Sequence, residues 1–359
     1  MTAGTGGAVR RAAAVVAAVL TVTVTVAACG AAADPVGPAK VLRLGFFPNL
    51  THATALVGLA RGFYARRLGA TALRTQTFNA GPGAVEALFS GDLDAAYLGP
   101  GPALNAWAQS HGQAIRIVAG ATSGGASLVV RPGITSPQDL RGSQIATPQL
   151  GNTQDVALRA WLRDHRLRPS TAESAGDVSV EPTDNATTLV LFRSGRLDGA
   201  WVPEPWASRL VLEGGGHVLV NERSLWPAGK FVTTTLVVRT EFLTRHPQTV
   251  RALLVGQLDA NAWIAAHPDQ APATANAELS RVGGARLSDP VLHRAFGQFT
   301  TTNDPLAATL RASAAHAVAA GLLKPVDPHG IYDLRLLRQV LTARHLPAPD
   351  DAGLGRDAP

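Results

Sequence analysis

At 359 residues, 46% hydrophobic and 16% charged, the chain can bury the cores of two domains and lacks the composition of a disordered segment. Its formal charge of +6 is mostly scattered arginine, and the densest runs, RRLGA and RDHRLRP, interleave no aromatic rings, so no nucleic-acid partner is expected. The ten histidines form no HxH, HExxH or His/Cys pairing, which argues against a metal site, and Cys29, the sole cysteine, excludes an intramolecular disulfide.

The chain opens with Arg10 and Arg11, an apolar stretch from Ala12 to Val26, and then Val-Ala-Ala-Cys. That is the layout of an export signal. The stretch is short and Ala/Thr-rich for a membrane span of about 20 apolar residues. Its ending resembles a bacterial lipobox, in which the signal is cut before the cysteine and the thiol is lipidated. The expectation is a signal peptide over 1–28, a lipid on Cys29, and a small Pro-containing tether through residue 40. The globular part would then be held by its lipid on the outer face of the cytoplasmic membrane.

The mature chain alternates strands and helices. A strand at VLRLGFF (41–47) feeds a helix from about Thr51 to Arg67, and a second strand ends at Phe78. A helix then reaches Phe89, DAAYLG (94–99) is a strand, a helix follows from about Pro102 to Ser110, and IRIVAG (115–120) is a strand. ASLVVRPG (126–133) is a further strand, and SPQDLRG a capped short helix. SQIATP (143–148) begins the series again: helix 152–167, strand 177–181, helix 184–194, strand 198–202, helix 204–214, and HVLV (217–220). KFVTTTLVVRT (230–240) reads as a return strand, and from Glu241 onward the pattern is mostly helical.

The second series repeats the first. SGDLDAAYLGPGP (90–102) and SGRLDGAWVPEPW (194–206) match over thirteen positions, aligning Gly91 with Gly195, Asp94 with Asp198 and Tyr97 with Trp201. Further upstream, GFFPNLTHATAL aligns with ATPQLGNTQDVAL. A duplicated strand–helix unit predicts an α/β protein of two lobes, each a mostly parallel sheet flanked by helices. The boundaries are 41–125 with 232–345 for lobe one and 126–231 for lobe two, leaving a disordered tail at 346–359. The crossings near 125 and 231 are short, which suits a hinge.

Ligands of such sheets bind beyond the carboxyl ends of the strands, in the crevice between lobes. The turns there hold Asn49, Thr51 and His52; Gly81; Gly99, Pro100 and Gly101; Ser123 and Gly124. From the second series come Gly151, Asn152, Thr153 and Gln154, then Glu204 and Trp206. Most precede a helix, whose unsatisfied N–H groups and partial positive charge suit an oxyanion without lysine or arginine. Any one of these residues alone reads as a plain helix cap. His52 fits either ligand contact or a cap, and Trp206 fits a wall for an apolar ligand tail.

LGFFPNLTHATALVGLARGFY, FNAGPGAVEALFSGDLDAAYLGPGPA, GATSGGASLVV, ATPQLGNTQD and WVPEPWASRL together resemble the substrate-binding lipoproteins of bacterial ABC importers. The resemblance covers about residues 41 to 270 and is closest to the nitrate/sulfonate/taurine class, in particular its aliphatic sulfonate-binding members. It implies a two-lobed, type II periplasmic-binding-protein-like fold, a small oxyanion such as an alkanesulfonate in the cleft, and delivery to a membrane permease with its ATPase. It implies no cofactor and no catalysis. Glu204 departs from an amide-and-hydroxyl cradle, because a carboxylate beside a bare sulfonate repels it. Either it turns away to cap its helix or the ligand carries an amine, as taurine does. The class also includes binders of a thiamine pyrimidine precursor, an uncharged heterocycle that calls for aromatic walls. The fungal pyrimidine-precursor synthases resemble the same fold but carry a Cys-rich cluster that this chain lacks.

Overall fold

The computed structural model describes residues 37–170 and 175–356. The expected signal peptide, Cys29 and the tether through residue 36 lie outside the described residues. Eleven strands are described, in chain order: β1 (Val41–Phe46), β2 (Ala72–Thr77), β3 (Ala95–Leu98), β4 (Ile115–Gly124), β5 (Ala126–Val130), β6 (Gln144–Thr147), β7 (Ser179–Pro182), β8 (Gly199–Pro203), β9 (His217–Asn221), β10 (Val232–Arg239) and β11 (Phe299–Thr301). They form a six-stranded sheet in the order β11-β4-β10-β3-β1-β2 and a five-stranded sheet in the order β7-β6-β8-β5-β9.

The duplication is visible in this order. β1 pairs in parallel with β2 and β3, as β6 does with β7 and β8. β10 then lies antiparallel between β3 and β4, and β5 lies antiparallel between β8 and β9. Each sheet is therefore mostly parallel in strand direction, β1 to β4 running one way in the first and β6 to β9 in the second, with β10 and β11 reversed in the first and β5 in the second. The cause of the β5 reversal is the crossing: β4 ends at Gly124 and β5 begins in the other sheet two residues later, so β5 must run away from the cleft that β6 and β8 run toward. β10 makes the reverse crossing.

The repeated SG-x-LD sentence has a structural reading. Gly91 and Gly195 take φ of 84° and 85° just past their helices, a left-handed conformation that suits glycine. Asp94 and Asp198 do the same work in each sheet. Each carboxylate accepts from the backbone N–H of the neighbouring strand's first residues, Arg43 and Gln144, both at 2.8 Å. Each carbonyl accepts from an arginine amide on the crossing strand or just beyond it, Arg239 and Arg131, both at 2.9 Å. Tyr97 and Trp201 follow, fully buried in their sheets.

Alternation along the strands gives the five-stranded sheet two apolar faces. Leu128, Val130 and Trp201 pack on one, Val129, Ala200 and Val202 on the other. The six-stranded sheet carries the larger core, which also gathers the C-terminal helices through Leu253, Leu310 and Leu337. The tail expected to be disordered from 346 is held there over its described part: Leu354 is buried, Tyr332 bridges Gly355, and Arg338 pairs with Asp351 at 2.8 Å. One apolar anchor among polar and turn-forming residues is enough to dock it. The end of the expected tether is docked too, the amide of Ala39 donating to Thr249 Oγ1 at 2.8 Å.

Candidate functional site

The two sheets are joined where β4 passes into β5. Gly124 and Gly125 have φ of 80° and 81°, which lets the chain turn between sheets within one residue. The return crossing runs alongside: Gly124 N–H donates to Phe231 O at 3.2 Å, and Thr233 Oγ1 donates to Gly124 O at 2.5 Å. Ser123 and Gly124, expected at the ligand, belong to this crossing.

Beside the crossing is a cavity of about 20 Å³. Phe47, Asn49, Thr51, His52, Asn79, Gly99, Thr233 and Thr234 line it from the six-stranded half, and Pro148, Asn152, Thr153, Gln154, Asn185 and Pro203 from the other. Its wall has no lysine, arginine or carboxylate. Asn49, Gly99 and Asn152 are each the residue capping a helix start, and Asn185 is the first residue of the helix Asn185–Arg193. Several helix N-termini thus converge on one small polar space.

The two halves touch across it. Leu50 and Thr51 N–H both point at Glu204 O, at 3.1 and 3.4 Å, and Trp206 Nε1 donates to Asn49 Oδ1 at 2.8 Å. Gly101 N–H donates to Thr153 Oγ1 at 3.2 Å. A Cβ on Gly99 would lie 2.3 Å from that same oxygen, so glycine is what permits the approach. Of the expected residues, Asn49, Thr51, His52, Gly99, Asn152, Thr153 and Gln154 come together in the wall. Gly81, Pro100, Gly101, Gly151, Glu204 and Trp206 stand outside it with Ser123 and Gly124. Gly81 packs against Pro102, and Gly151 N–H donates to Asp155 Oδ2 at 2.9 Å.

Glu204 takes the first of the two alternatives the sequence left open. Its carboxylate accepts from Ser208 N–H at 3.1 Å, capping its helix, while its carbonyl faces the other lobe. Burial raises its pKa to about 7, offset by Ser208 and by Arg294. His52 is fully enclosed, and burial lowers its pKa to about 3. Its Nδ1 accepts from Phe47 N–H at 3.3 Å and its ring packs on Phe47 at 4.6 Å. A neutral imidazole accepting at Nδ1 carries its proton on Nε2, so His52 is a donor without charge.

Thr233 and Thr234 were outside the expected set, whereas Asn185 lies in one of the strand-end turns of the second series. The threonines sit on β10, not in a turn, and their signal was the TTT run in the return strand. Asn185 follows Asp184, which caps the helix through Ala186 N–H and Thr187 N–H at 3.1 and 3.0 Å and so leaves Asn185 free for the cavity. Asn185 Oδ1 is buried with no hydrogen-bond partner among the described residues.

The NMT1-like family profile matches residues 36–279. The chain belongs to that family. It is similar to the taurine-binding periplasmic protein of Escherichia coli K12, 31% identical over 216 residues, which are 60% of this chain and 64% of the relative. Its fold is that of the two-lobed periplasmic binding proteins. The nitrate-binding protein NrtA from Synechocystis PCC 6803 superposes with a TM-score of 0.73 at 16% identity, over 86% of this chain and 90% of that one. The alkanesulfonate-binding protein SsuA from Xanthomonas axonopodis pv. citri bound to MOPS superposes with a TM-score of 0.64 at 21% identity, over 80% and 95%. The NMT1-like match ends before the C-terminal helices that complete the six-stranded half.

Proposed function

We propose that the chain is the extracytoplasmic solute-binding component of an ABC importer, capturing a small organic sulfonate or related oxyanion and passing it to a membrane permease with its ATPase. The observation that carries this reading is the cavity wall: amide and hydroxyl side chains and helix starts from both lobes, with no formal charge and His52 held neutral. Such a wall stabilises an oxyanion by oriented dipoles and offers no acid–base pair to transform it. The lobes 41–125 with 232–345 and 126–231 would close on the ligand about Gly124 and Gly125, selecting the closed state by differential affinity. A lipid on Cys29 would hold the protein at the outer face of the cytoplasmic membrane.

Within the class, Asn185 favours taurine. Its unpartnered oxygen is a spare acceptor for an ammonium, a role for which Glu204, turned to its helix, is no longer needed. The name of the Escherichia coli relative points the same way. Titration calorimetry against taurine, ethanesulfonate to hexanesulfonate, nitrate, bicarbonate and sulfate tests the proposal. Saturable binding of a sulfonate, tightest for taurine, is expected. With an uncharged aminopyrimidine added to the panel, its binding with no anion bound would overturn the proposal.

A further inference from the structure

Away from the cleft, a much larger cavity of about 640 Å³ opens between the helix Thr153–Asp164, the 3₁₀ turns Glu222–Leu225 and Pro227–Gly229, and the helix Ala307–Ala319. It shares no lining residue with the cleft cavity. Its volume falls within the roughly 300–1,000 Å³ of small-molecule sites. Alanines at 157, 160, 308 and 312 leave the room. Two indoles, Trp161 and Trp226, supply aromatic wall. Trp226 is fixed by stacking on Phe231, with centroids 5.7 Å apart and planes 12° apart.

Acids outnumber cations on this wall, which also holds the imidazoles of His165 and His316. Glu222, Asp164, Asp304 and Asp350 line it against Lys230 as the single lysine or arginine. Glu222 is 2% exposed, its Oε2 accepts from Trp201 Nε1 at 2.8 Å, and no lysine or arginine among the described residues pairs with it. A buried carboxyl without a countercharge is costly in an apolar wall. Burial accordingly raises its pKa to about 7, offset in part by the indoles of Trp201 and Trp226. Asp164 is paired with Arg163 at 3.0 Å, and Asp304 and Asp350 accept from backbone amides of Leu306 and Ala352, so Glu222 is the acid that lacks a charged or capping role.

We propose that this cavity is a second ligand site, taking an organic cation with an apolar body: an aryl- or alkylammonium ion, its body against Trp161 and Trp226 and its ammonium toward Glu222. Indole faces attract a cation as well as an apolar ring, and a cation supplies the countercharge that Glu222 lacks. The same acids disfavour a sulfonate, so the two sites would take ligands of opposite charge. Because they share no lining residue, binding here does not depend on the sulfonate reading being right.

Calorimetry on the intact chain with phenethylammonium, 2-phenylethanol and 3-phenylpropionate separates body from charge. The cation should bind at least about tenfold tighter than the alcohol, and the carboxylate not at all. Ala312→Trp, which fills the cavity from a half-buried position, should weaken the cation at least about tenfold by loss of space alone. Glu222→Gln should erase the preference for cation over alcohol. Equal or tighter binding of the alcohol or the carboxylate overturns the proposal. So does an affinity for the cation that survives Ala312→Trp, or no saturable binding of any of the three.

Discussion

The amide of Gly101 donates to Thr153 Oγ1 at 3.2 Å, joining the first turns of two helices that start from different sheets. Gly99, two residues earlier, is packed so closely on the same hydroxyl that its missing side chain is part of the contact. Thr153 is therefore both a wall of the cavity and one of the points where the lobes meet.

Gly99→Ala should let each lobe fold but hold the cleft ajar. The backbone of Gly99, at φ −76°, accommodates alanine, while the new Cβ would stand 2.3 Å from Thr153 Oγ1. Affinity for the cleft ligand should fall by at least roughly tenfold, and ligand-induced contraction in small-angle scattering should disappear. Thr153→Ala removes the clashing oxygen, so the double variant should recover part of the loss, a non-additivity expected of residues in contact. Full additivity would show that the contact does not govern closure.

Asn185→Ala should act on selectivity. If its spare oxygen receives an ammonium, the substitution costs taurine about tenfold while ethanesulfonate changes little, the usual worth of one charge-assisted hydrogen bond. Competition calorimetry with the two ligands reads the ratio. Equal losses for both would place Asn185 at the sulfonate instead.

His52 should stay neutral down to acidic pH. Its native pKa is lowered to about 3 from an ordinary 6.5, so between those values the unfolded chain binds the proton and the native one does not. Its contribution is thus complete above pH 6.5 and is lost as pH falls toward 3, by at most about 5 kcal/mol. The buried Glu204 carboxyl works in the opposite sense, its share being lost as pH rises from 4.5 to about 7. Denaturant melts of the parent and His52→Asn at pH 4 and pH 7 isolate the histidine: the variant should lose less stability on acidification. A resonance assigned to His52 by its loss in His52→Asn, and titrating between pH 6 and 7, would contradict this.

Cys29→Ser should leave the globular part folded and abolish membrane retention, since the Val-Ala-Ala-Cys ending supplies the only thiol in the chain. Detergent partitioning of the two forms decides it, and unchanged retention would rule out the lipobox.

The duplication was legible because both copies keep the residues that end the helix and tie the strand ends together, Gly91 with Gly195 and Asp94 with Asp198, and those positions need specific chemistry. The antiparallel fourth strand was not, because strand direction leaves no mark in a run such as ASLVV; only the one-residue crossing at Gly125 imposes it. The polar turns named half of the cavity wall, Asn49, Thr51, His52, Gly99, Asn152, Thr153 and Gln154, since helix starts are written in Asn, Gly and Thr. Glu204 and Trp206 sit in an equally polar turn, but their side chains serve the helix cap and the other lobe. Thr233 and Thr234 escaped because a strand residue reaches a cleft only through tertiary pairing. The tail was misread because Leu354 is a single anchor, and one apolar residue makes no periodic pattern.

The central claim is that a small oxyanion sits between Asn49, Thr51 and His52 on one side and Asn152 and Thr153 on the other. A crystal structure of the protein with taurine tests this most directly. The account predicts sulfonate density in the cleft, its oxygens within hydrogen-bonding distance of these groups and the ammonium beside Asn185 Oδ1. Taurine bound elsewhere, or a cleft that closes with no anion between those residues, would contradict it.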